Sequence, residues 1–557
     1  MTSSTDIAAP PSANGLPARI GWAVLICATL YVCYFSHLGA IGFVGPDEPR
    51  YAWIARDMVE TGDWVTPRLY GKPWFEKPPL FYWGAAICFK ACGVSEAAAR
   101  LPSAISALLA TLALAWLAWR IYGADTARWL LLLLPTTVGM IGFSHAAATD
   151  MPFSAMLTIA MVCAAVVLEL APHESCGPGA RHAAPLRSDP HATRRRWFAR
   201  ILFGFFLGLA VLAKGPAGVI LCGGAIFFWA LFTKRWRDAL RLLHPAAIAA
   251  FCVTALPWYI LCARRNPDFF RIFIIEHNFK RYLTPEFQHI QPFWFYIPVL
   301  LAALLPWTAG LFLVLANAAS RAMPSFYFLS FALFSVAFFT ISRSKLPGYI
   351  LPAVPAFACL IATAVATRRG KRILAAISAT TAAGLATAIF FYAAHRALGT
   401  DIVPAPWTAN VELSLFVAAL VAAILAIRMA SAALCVLQMG IVLAVWFFSS
   451  GLVWVDPLFS ARGVINTSRE SLRSLAAADI AVYDLPRGIH YGLNFYLRRE
   501  MPEWSPGNSD AVFTSYKGQS VLTKAGYQCQ SHLVFPAAIL CRAKNLTAGA
   551  ARGGKVQ

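Results

Sequence analysis

Apolar runs separated by short polar stretches occupy the first 454 residues of the chain. Most of them approach the roughly 20 residues that an α-helix needs to cross the hydrocarbon core of a bilayer. Ionisable residues fall mainly between the runs, so the pattern predicts a polytopic α-helical membrane protein. The runs lie at about 20–40, 79–93, 99–121, 128–145, 152–171, 197–213, 215–232, 244–263, 292–317, 323–341, 349–366, 372–395, 409–428 and 431–454.

The basic loops indicate which runs cross the membrane. Threading all fourteen runs alternately puts the loops 181–196, 233–238 and 367–372 outside, although Lys and Arg favour cytoplasmic loops. Omitting the run 79–93 corrects all three loops at once. That run is short, follows two prolines and contains Lys90. The sequence therefore predicts 13 spans, with 79–93 re-entrant or interfacial.

The same threading divides the chain into four parts. The last hundred residues are polar, with β-prone pieces such as 479–484 and 520–529 and a helix-prone stretch around 466–477. The predicted parts are a cytoplasmic N-terminus (1–19), a transmembrane domain (20–455) whose first external loop carries juxtamembrane segments (41–98), a small external α/β domain (456–545) and a disordered tail (546–557).

Composition narrows the class of protein. The chain is 59% hydrophobic and 13% charged, about half the charged fraction of a soluble domain. The net charge of +21 lies largely in short loops, and no basic stripe with interleaved aromatic residues indicates nucleic-acid binding. Most of the 13 cysteines lie in apolar runs, but Cys529 and Cys541 lie in the polar tail. An external tail leaves a disulfide between them open.

Acidic residues at the ends of apolar runs are the first candidates for chemistry. The stretch GPDEPRYAWIARDM (45–58) contains Asp47, Glu48, Arg50 and Tyr51, and Asp150 begins another run in HAAATDMPF. Ionisable residues at membrane depth are functional hypotheses by default. The alternative for Asp47 and Glu48 is a solvent-exposed position at the membrane surface. The alternative for Asp150 is a helix cap.

Cations on the predicted outer face are the second candidates. They run against the usual charge bias of external loops, so an anion should compensate them. A lipid phosphate fits both the depth and the sign, since Lys offers it a point charge and Arg a bidentate fork. The alternatives are headgroup contacts and pairing with local acids. The main candidates are Lys77, Lys214, Arg281 and Lys345.

A divalent cation is the remaining possibility. Glu76 together with His277 or His289 offers suitable ligand types, but their spacing does not require a metal site. A salt bridge for Glu76 and ordinary hydrogen bonds for the histidines are the alternative. No metal ligand is therefore assigned.

A series of motifs in the order found here resembles the GT-C glycosyltransferases that use a polyprenyl-phosphate sugar donor, nearest to the lipid A aminoarabinose transferases. The resemblance is strong over about 20–355, whereas the last three spans and the tail match only in general layout. Pro49 is a departure from the first motif. The motifs are DExRYAxxARxM, GDWxxPxxxGxPxFEKPPLxYW, ARLPSA, TDMPF, LAKGP, EHNFKRY, HIQPFWFYIP and SRSKLPGYILPAVP.

The resemblance implies transfer of 4-amino-4-deoxy-L-arabinose from undecaprenyl phosphate to a lipid A phosphate. This reaction would occur at the periplasmic face of a Gram-negative inner membrane and support polymyxin resistance. The family's fold would be a GT-C fold of 13 spans with external juxtamembrane helices and a periplasmic C-terminal domain. The implied residues are Asp47 and Asp150 for catalysis; Lys77, Arg50, Lys214, Arg281 and Lys345 for phosphate binding; and Glu48, Tyr51, Glu76 and Tyr349 for substrate positioning.

An anionic acceptor changes the expected mechanism. A phosphate needs little deprotonation, so we expect Asp47 to orient the acceptor or hold the donor ammonium rather than act as a base. Asp150 is the better candidate for the ammonium. Lys77, with Arg281 or Lys345, would stabilise the departing phosphate during inversion.

Three alternatives stay open at this point. The first is a related transferase for another sugar or a protein hydroxyl, in which Asp47 is a base. The second is a lipid-phosphate flippase or transporter, although no internal repeat is visible and the ionisable residues gather at one face. The third is a scaffold whose tail is the working part.

Overall fold

The computed structural model describes residues 16–170, 190–280, 290–316, 323–367, 369–380, 405–426, 429–473, 480–507, 509–530 and 537–543. Helices dominate these ranges. The α-helices are α1 Leu16–Tyr34, α2 Asp47–Thr61, α3 Leu80–Cys92, α4 Glu96–Tyr122, α5 Ala124–Leu133, α6 Val138–Ser144, α7 Asp150–Val167, α8 Pro190–Lys214, α9 Ala217–Thr233, α10 Trp236–Leu240, α11 Pro245–Arg265, α12 Tyr296–Ala303, α13 Gly310–Ala316, α14 Met323–Ile341, α15 Ala353–Val365, α16 Ala405–Ala426, α17 Ala430–Phe459, α18 Ala461–Thr467, α19 Arg469–Arg473, α20 Arg487–Leu497 and α21 Gln519–Lys524.

Seven helices within the described ranges are long and apolar enough to cross a membrane, and the bent pair α5–α6 makes an eighth if it is one span. The prediction of a multi-pass helical membrane protein is therefore confirmed. Several other predicted runs form shorter apolar helices, including α9, α15 and part of α16. Part of the run 372–395 lies outside the described residues. The number of 13 spans stays a prediction.

The run that the charge pattern set aside forms α3. With 13 residues this helix is about 20 Å long, which is shorter than the roughly 30 Å hydrocarbon core. Its aromatic residues pack against α2, where Tyr51 meets Phe81 and Tyr82 at ring-centroid distances of 6.0 and 5.6 Å. The two helices thus form one packed layer, with α3 leading on to α4.

Helix α7 lies at the centre of the membrane domain. It packs on α4 and α8, and 89% of its 18 residues are buried. Small residues such as Ala160 and Ala164 allow neighbouring helices to approach closely. Such close packing is typical of helix interfaces inside a bilayer. Polar contacts cross the same core: the Tyr327 hydroxyl donates to the Met161 carbonyl at 2.7 Å. The position of Asp150, the first residue of α7, is therefore tightly determined.

The C-terminal part contains a four-stranded sheet. Strands β3 (Ile480–Tyr483), β4 (Ala511–Thr514), β5 (Tyr527–Gln530) and β6 (Ile539–Ala543) lie in the order β3-β4-β6-β5, with β3 parallel to β4 and the other pairs antiparallel. These strands follow β1 (Arg68–Leu69) and β2 (Lys72–Pro73), an antiparallel pair between α2 and α3.

Two details of this C-terminal part differ from or add to the sequence pattern. The β-prone piece 520–529 is divided: its first half lies in α21 and only its second half in β5. Gly526, with φ of +91°, makes the turn between them. Cys529 and Cys541 face each other on β5 and β6 and form a disulfide. The domain boundaries at 455 and 545 stay predictions.

Candidate functional site

The first motif forms the start of α2. Asp47 and Glu48 occupy the first turn, where negative charge opposes the positive end of the helix dipole. Pro49, the departure from the family motif, is the third helical residue. A proline is tolerated there because the first N–H groups of a helix have no intrahelical acceptor. The departure therefore does not disturb the helix.

Arg50 is the centre of a compact charge cluster. Its Nη2 donates to the Asp47 carboxylate, its Nη1 to Glu76 Oε2 at 3.1 Å, and its Nε to the Pro46 carbonyl at 2.9 Å. Lys77 Nζ lies 3.5 Å from Glu76 Oε1. Burial alone would lower the pKa of Arg50, but its neighbours, first Glu76 and then Tyr51 and Asp47, outweigh the burial and raise that pKa. Together with the buried Tyr51, these residues are called the α2 cluster below.

Aromatic rings complete the surroundings of Arg50. Its guanidinium carbon lies 5.5 Å from the Trp74 ring centroid and 5.3 Å from that of Tyr491, which belongs to α20. The Arg50 side chain is 7% exposed, whereas the Asp47 side chain is 45% exposed. Asp47 is thus the member of the α2 cluster with an accessible carboxylate.

Glu48 has a different environment from its neighbour. Its carboxylate forms a buried two-point ion pair with Arg100, at 2.9 Å (Nε to Oε1) and 2.8 Å (Nη2 to Oε2). The backbone N–H groups of Val44 and Ala147 donate to the same carboxylate, each at 2.7 Å. Both oxygens are therefore fully engaged inside the protein, and the predicted role of Glu48 in substrate positioning gains no support.

Arg100 was missed by the sequence analysis as a site residue, although its motif ARLPSA was noted. It is 2% exposed, and it also donates to the carbonyls of Leu38, Ile41 and Gly42 at 2.7–2.8 Å. The sequence contained a signal for this residue, because an arginine inside the apolar run 99–121 needs a partner. The same argument selected the acids at membrane depth.

Asp150 forms a second cluster with the end of α8. Its Oδ1 lies 2.5 Å from Lys214 Nζ, and that ammonium sits 4.5 Å from the Tyr349 ring centroid. A Cβ on Gly348 would stand 2.6 Å from the same carboxylate oxygen, so only glycine fits there. Asp150 is the first helical residue, and the N-cap position belongs to Thr149. Asp150, Lys214 and Tyr349 are called the α7 cluster below.

Lys345 lies in the loop before Tyr349. Its Nζ donates to the Ser342 carbonyl at 2.7 Å, and the residue is 7% exposed. Burial, with Arg343 next, lowers the pKa of Lys345. Among the described residues no carboxylate forms an ion pair with it, so it differs from Arg50, Lys77 and Lys214.

The two clusters are joined through Glu48. Its Oε1 accepts from the N–H of Ala147, three residues before Asp150, and Ser103 Oγ donates to the Ala146 carbonyl at 2.7 Å. The loop that enters α7 is therefore tied to α2 and α4. The starts of α2 and α7 are fixed relative to each other.

The residues considered for a divalent cation, as far as the described ranges include them, do not form a metal site. No group of three or more His, Cys, Asp or Glu side chains that could hold a metal ion occurs in them. Glu76 pairs with Arg50 and Lys77, and His277 lies on the helical stretch Arg271–Lys280. Arg281 and His289 lie outside the described residues.

Comparison with known proteins supports the resemblance. Residues 22–273 match the family model of dolichyl-phosphate-mannose-protein mannosyltransferases. The chain is 30% identical over 357 residues to the undecaprenyl phosphate-alpha-4-amino-4-deoxy-L-arabinose arabinosyl transferase of Edwardsiella ictaluri, covering 63% of this chain and 60% of that protein. The corresponding protein of Serratia proteamaculans is 31% identical over 347 residues, 61% of this chain and 58% of that protein. The matches thus span about 60% of these relatives' length.

A solved structure extends the comparison to nearly the whole chain. ArnT from Cupriavidus metallidurans bound to undecaprenyl phosphate superposes with a TM-score of 0.74 at 23% identity, covering 94% of this chain and 98% of that one. The fold is therefore that of the GT-C membrane glycosyltransferases, as the sequence predicts. The predicted resemblance to the aminoarabinose transferases is confirmed by the relatives named above.

The two adjacent acids should differ sharply in their effect on stability. Glu48→Ala leaves a buried Arg100 without its partner, which costs about 3–5 kcal/mol. Asp47→Asn changes an accessible carboxylate, so its cost should stay below about 1 kcal/mol. Thermal unfolding of the purified variants in detergent, followed by intrinsic fluorescence, checks this. Equal shifts in the two melting temperatures would contradict the arrangement.

The Asp150–Lys214 contact should show measurable coupling. A double-mutant cycle with Asp150→Asn and Lys214→Met should give about 1–3 kcal/mol, because both groups are largely buried. The exposed pair Asp268–Arg271 is the matched control and should give under about 1 kcal/mol. Unfolding titrations in mixed micelles provide the free energies. A coupling no larger than that of the control would show that the pair does not form.

Proposed function

We propose that this protein transfers 4-amino-4-deoxy-L-arabinose from undecaprenyl phosphate to a lipid A phosphate at the periplasmic face of the inner membrane. The relatives named above carry the donor lipid phosphate and the aminoarabinose group in their names, and the solved neighbour is bound to undecaprenyl phosphate. The observation that carries the proposal is the α2 cluster, in which an accessible carboxylate stands beside two held cations. Modification of lipid A phosphates by a cationic sugar would support polymyxin resistance.

The α2 cluster is balanced before substrate binds. Asp47 and Glu76 offset the charges of Arg50 and Lys77, so an arriving phosphate must compete with a carboxylate for Arg50. Asp47 is the accessible carboxylate and therefore the one that a phosphate can displace. Once released, its charge is available to the ammonium of the donor sugar. Phosphate binding and ammonium binding would thus support each other.

Lys345 is the best-placed cation for binding phosphate, because its ammonium forms no ion pair with a carboxylate of the described residues. Its ammonium is bonded to a backbone carbonyl, and its lowered pKa means that a bound anion would stabilise its charged form. With Lys77, it would stabilise the undecaprenyl phosphate that departs as the bond from the anomeric carbon to the phosphate oxygen breaks. A lipid A phosphate oxygen would form the new bond from the opposite face.

The α7 cluster supports a different role for Asp150 than the sequence indicated. Its carboxylate already holds Lys214, so a donor ammonium would have to displace a buried cation. The contact favours Asp150 as the residue that fixes Lys214 beside Tyr349. Lys214 would then be the group that faces substrate phosphate.

A second candidate is transfer of a sugar to a protein hydroxyl. The matching family model, named for protein mannosyltransferases, favours it. A neutral hydroxyl must lose a proton as it attacks, so Asp47 would then be a general base. The two candidates predict different products and different behaviour of Asp47 variants.

Mass spectrometry of lipid A separates the candidates. We expect the intact protein, expressed in a polymyxin-sensitive strain that lacks its own transferase, to add the mass of one or two aminoarabinose groups. Lys77→Ala, matched for membrane level by immunoblot, should add none. Unmodified lipid A from cells with well-expressed intact protein would reject the proposed substrates, and a glycosylated protein fraction would favour the second candidate.

Kinetics of two variants tests the role of Asp47. Asp47→Asn keeps a hydrogen-bonding group for Arg50, so kcat should fall less than about 10-fold while KM for the donor rises. Lys77→Ala should lower kcat about 100-fold or more, because it removes charge stabilisation in the transition state. The assay uses purified protein with donor lipid and lipid A. A loss of about 100-fold or more in kcat for Asp47→Asn would instead indicate a general base.

A further inference from the structure

The segment 38–44 links α1 to α2 and is held almost entirely by side chains from elsewhere. It has no helical or strand pairing of its own over these residues. Arg100 from α4 binds three of its carbonyls. The N–H groups of Gly42, Phe43 and Val44 donate to Asp456 Oδ1 at 2.7 Å, Tyr496 Oη at 3.0 Å and Glu48 Oε2 at 2.7 Å.

Arg462, in α18, supplies the remaining contacts. Its Nη1 donates to the Gly39 carbonyl and its Nη2 to the Ala40 carbonyl, both at 2.9 Å. Its Nε donates to Asp456 Oδ2 at 2.9 Å, and its Nη1 lies 3.1 Å from Glu96 Oε1. The planar guanidinium of Arg462 therefore contacts two adjacent carbonyls and two carboxylates at once. A lysine ammonium cannot make this set of contacts.

Close packing reinforces this contact. A Cβ on Gly42 would stand 2.5 Å from Ser460 Oγ and 2.8 Å from the Cβ of Arg462. Ser460 Oγ in turn donates to Asp456 Oδ1 at 2.5 Å. The segment therefore approaches the junction of α17 and α18 as closely as a glycine backbone permits.

We propose that Arg462 is a positioning residue for Asp47 and acts through the segment 38–44. This inference rests on the proposed function. Asp47 follows the segment after only Gly45, with φ of +68°, and Pro46, so the path of the segment sets where α2 begins. The C-terminal part of the chain thereby contributes to the active site from a position more than 400 residues away.

Loss of Arg462 should act locally. The carbonyls of Gly39 and Ala40 lose their donors, while Arg100 continues to hold Leu38, Ile41 and Gly42. The segment should loosen without releasing α2 from α3, because the aromatic layer between those helices is untouched. Donor binding should suffer more than turnover, since the carboxylate proposed to hold the donor ammonium is displaced and the cations remain.

The test combines hydrogen–deuterium exchange with steady-state kinetics on the full-length protein in detergent. Arg462→Ala should speed exchange in a peptide covering 38–48 by about 10-fold or more and raise KM for the donor by about 10-fold, with kcat within about threefold. Arg462→Lys should restore neither. Arg499→Ala is the matched control, because Arg499 donates to the Ile480 carbonyl within the C-terminal sheet and should change neither readout.

Two results would overturn the inference. One is unchanged exchange over 38–48 in Arg462→Ala; the other is faster exchange with an unchanged KM for the donor. If Arg462→Ala does not fold, Gly42→Ala keeps the arginine but displaces the segment, and it should give the same pair of effects. If the intact protein shows no turnover, the proposed function has failed, and exchange in the first turn of α2 still decides whether Arg462 orders Asp47.

Discussion

The buried ion pair between Glu48 and Arg100 is the contact on which the arrangement of the site depends. Removing two charges from water is expensive, and the attraction between them repays that cost only when their other hydrogen-bonding positions are filled. Here they are filled by backbone groups of the segment before α2 and of the loop before α7. Because the hydrogen-bonding positions of this one ion pair must be filled, the segment before α2 and the loop before α7 are both held in place.

This arrangement explains why adjacent acids have opposite environments. Consecutive helical residues point about 100° apart, so when Glu48 faces α4, Asp47 is directed away from it. Asp47 keeps one partner, Arg50, and an accessible carboxylate. Arg50 is held in turn by Glu76 and by aromatic rings from two parts of the chain. Of the two adjacent acids, Glu48 is held rigidly, and it supports Asp47, whose carboxylate is available to a ligand.

The sequence could predict the class of architecture because apolar length and loop charge are local quantities. It also separated the run that became α3 from the longer runs, and it located the chain positions at which Asp47 and Asp150 occur. It could not tell Glu48 from Asp47, because that difference depends on which helix lies beside α2. The Asp150–Lys214 contact and the role of Arg462 were likewise out of reach, since each depends on packing between distant segments.

The pairing of cations with local acids alters the electrostatic picture that the sequence suggested. The sequence left open whether a lipid phosphate or local acids compensate the external cations. In the structure, Arg50, Lys77 and Lys214 have carboxylate partners. In a site of this kind the cations are neutralised by carboxylates before any ligand binds, because unbalanced charge would be costly at membrane depth. Under the proposed function the site would exchange one ion pair for another when substrate arrives, so that the cost of holding the cations in place is met before binding. Selectivity would then favour ligands that carry both signs of charge. A phosphate alone would leave the carboxylate that it displaces without a partner, whereas an aminosugar phosphate would pair with both the cation and the carboxylate.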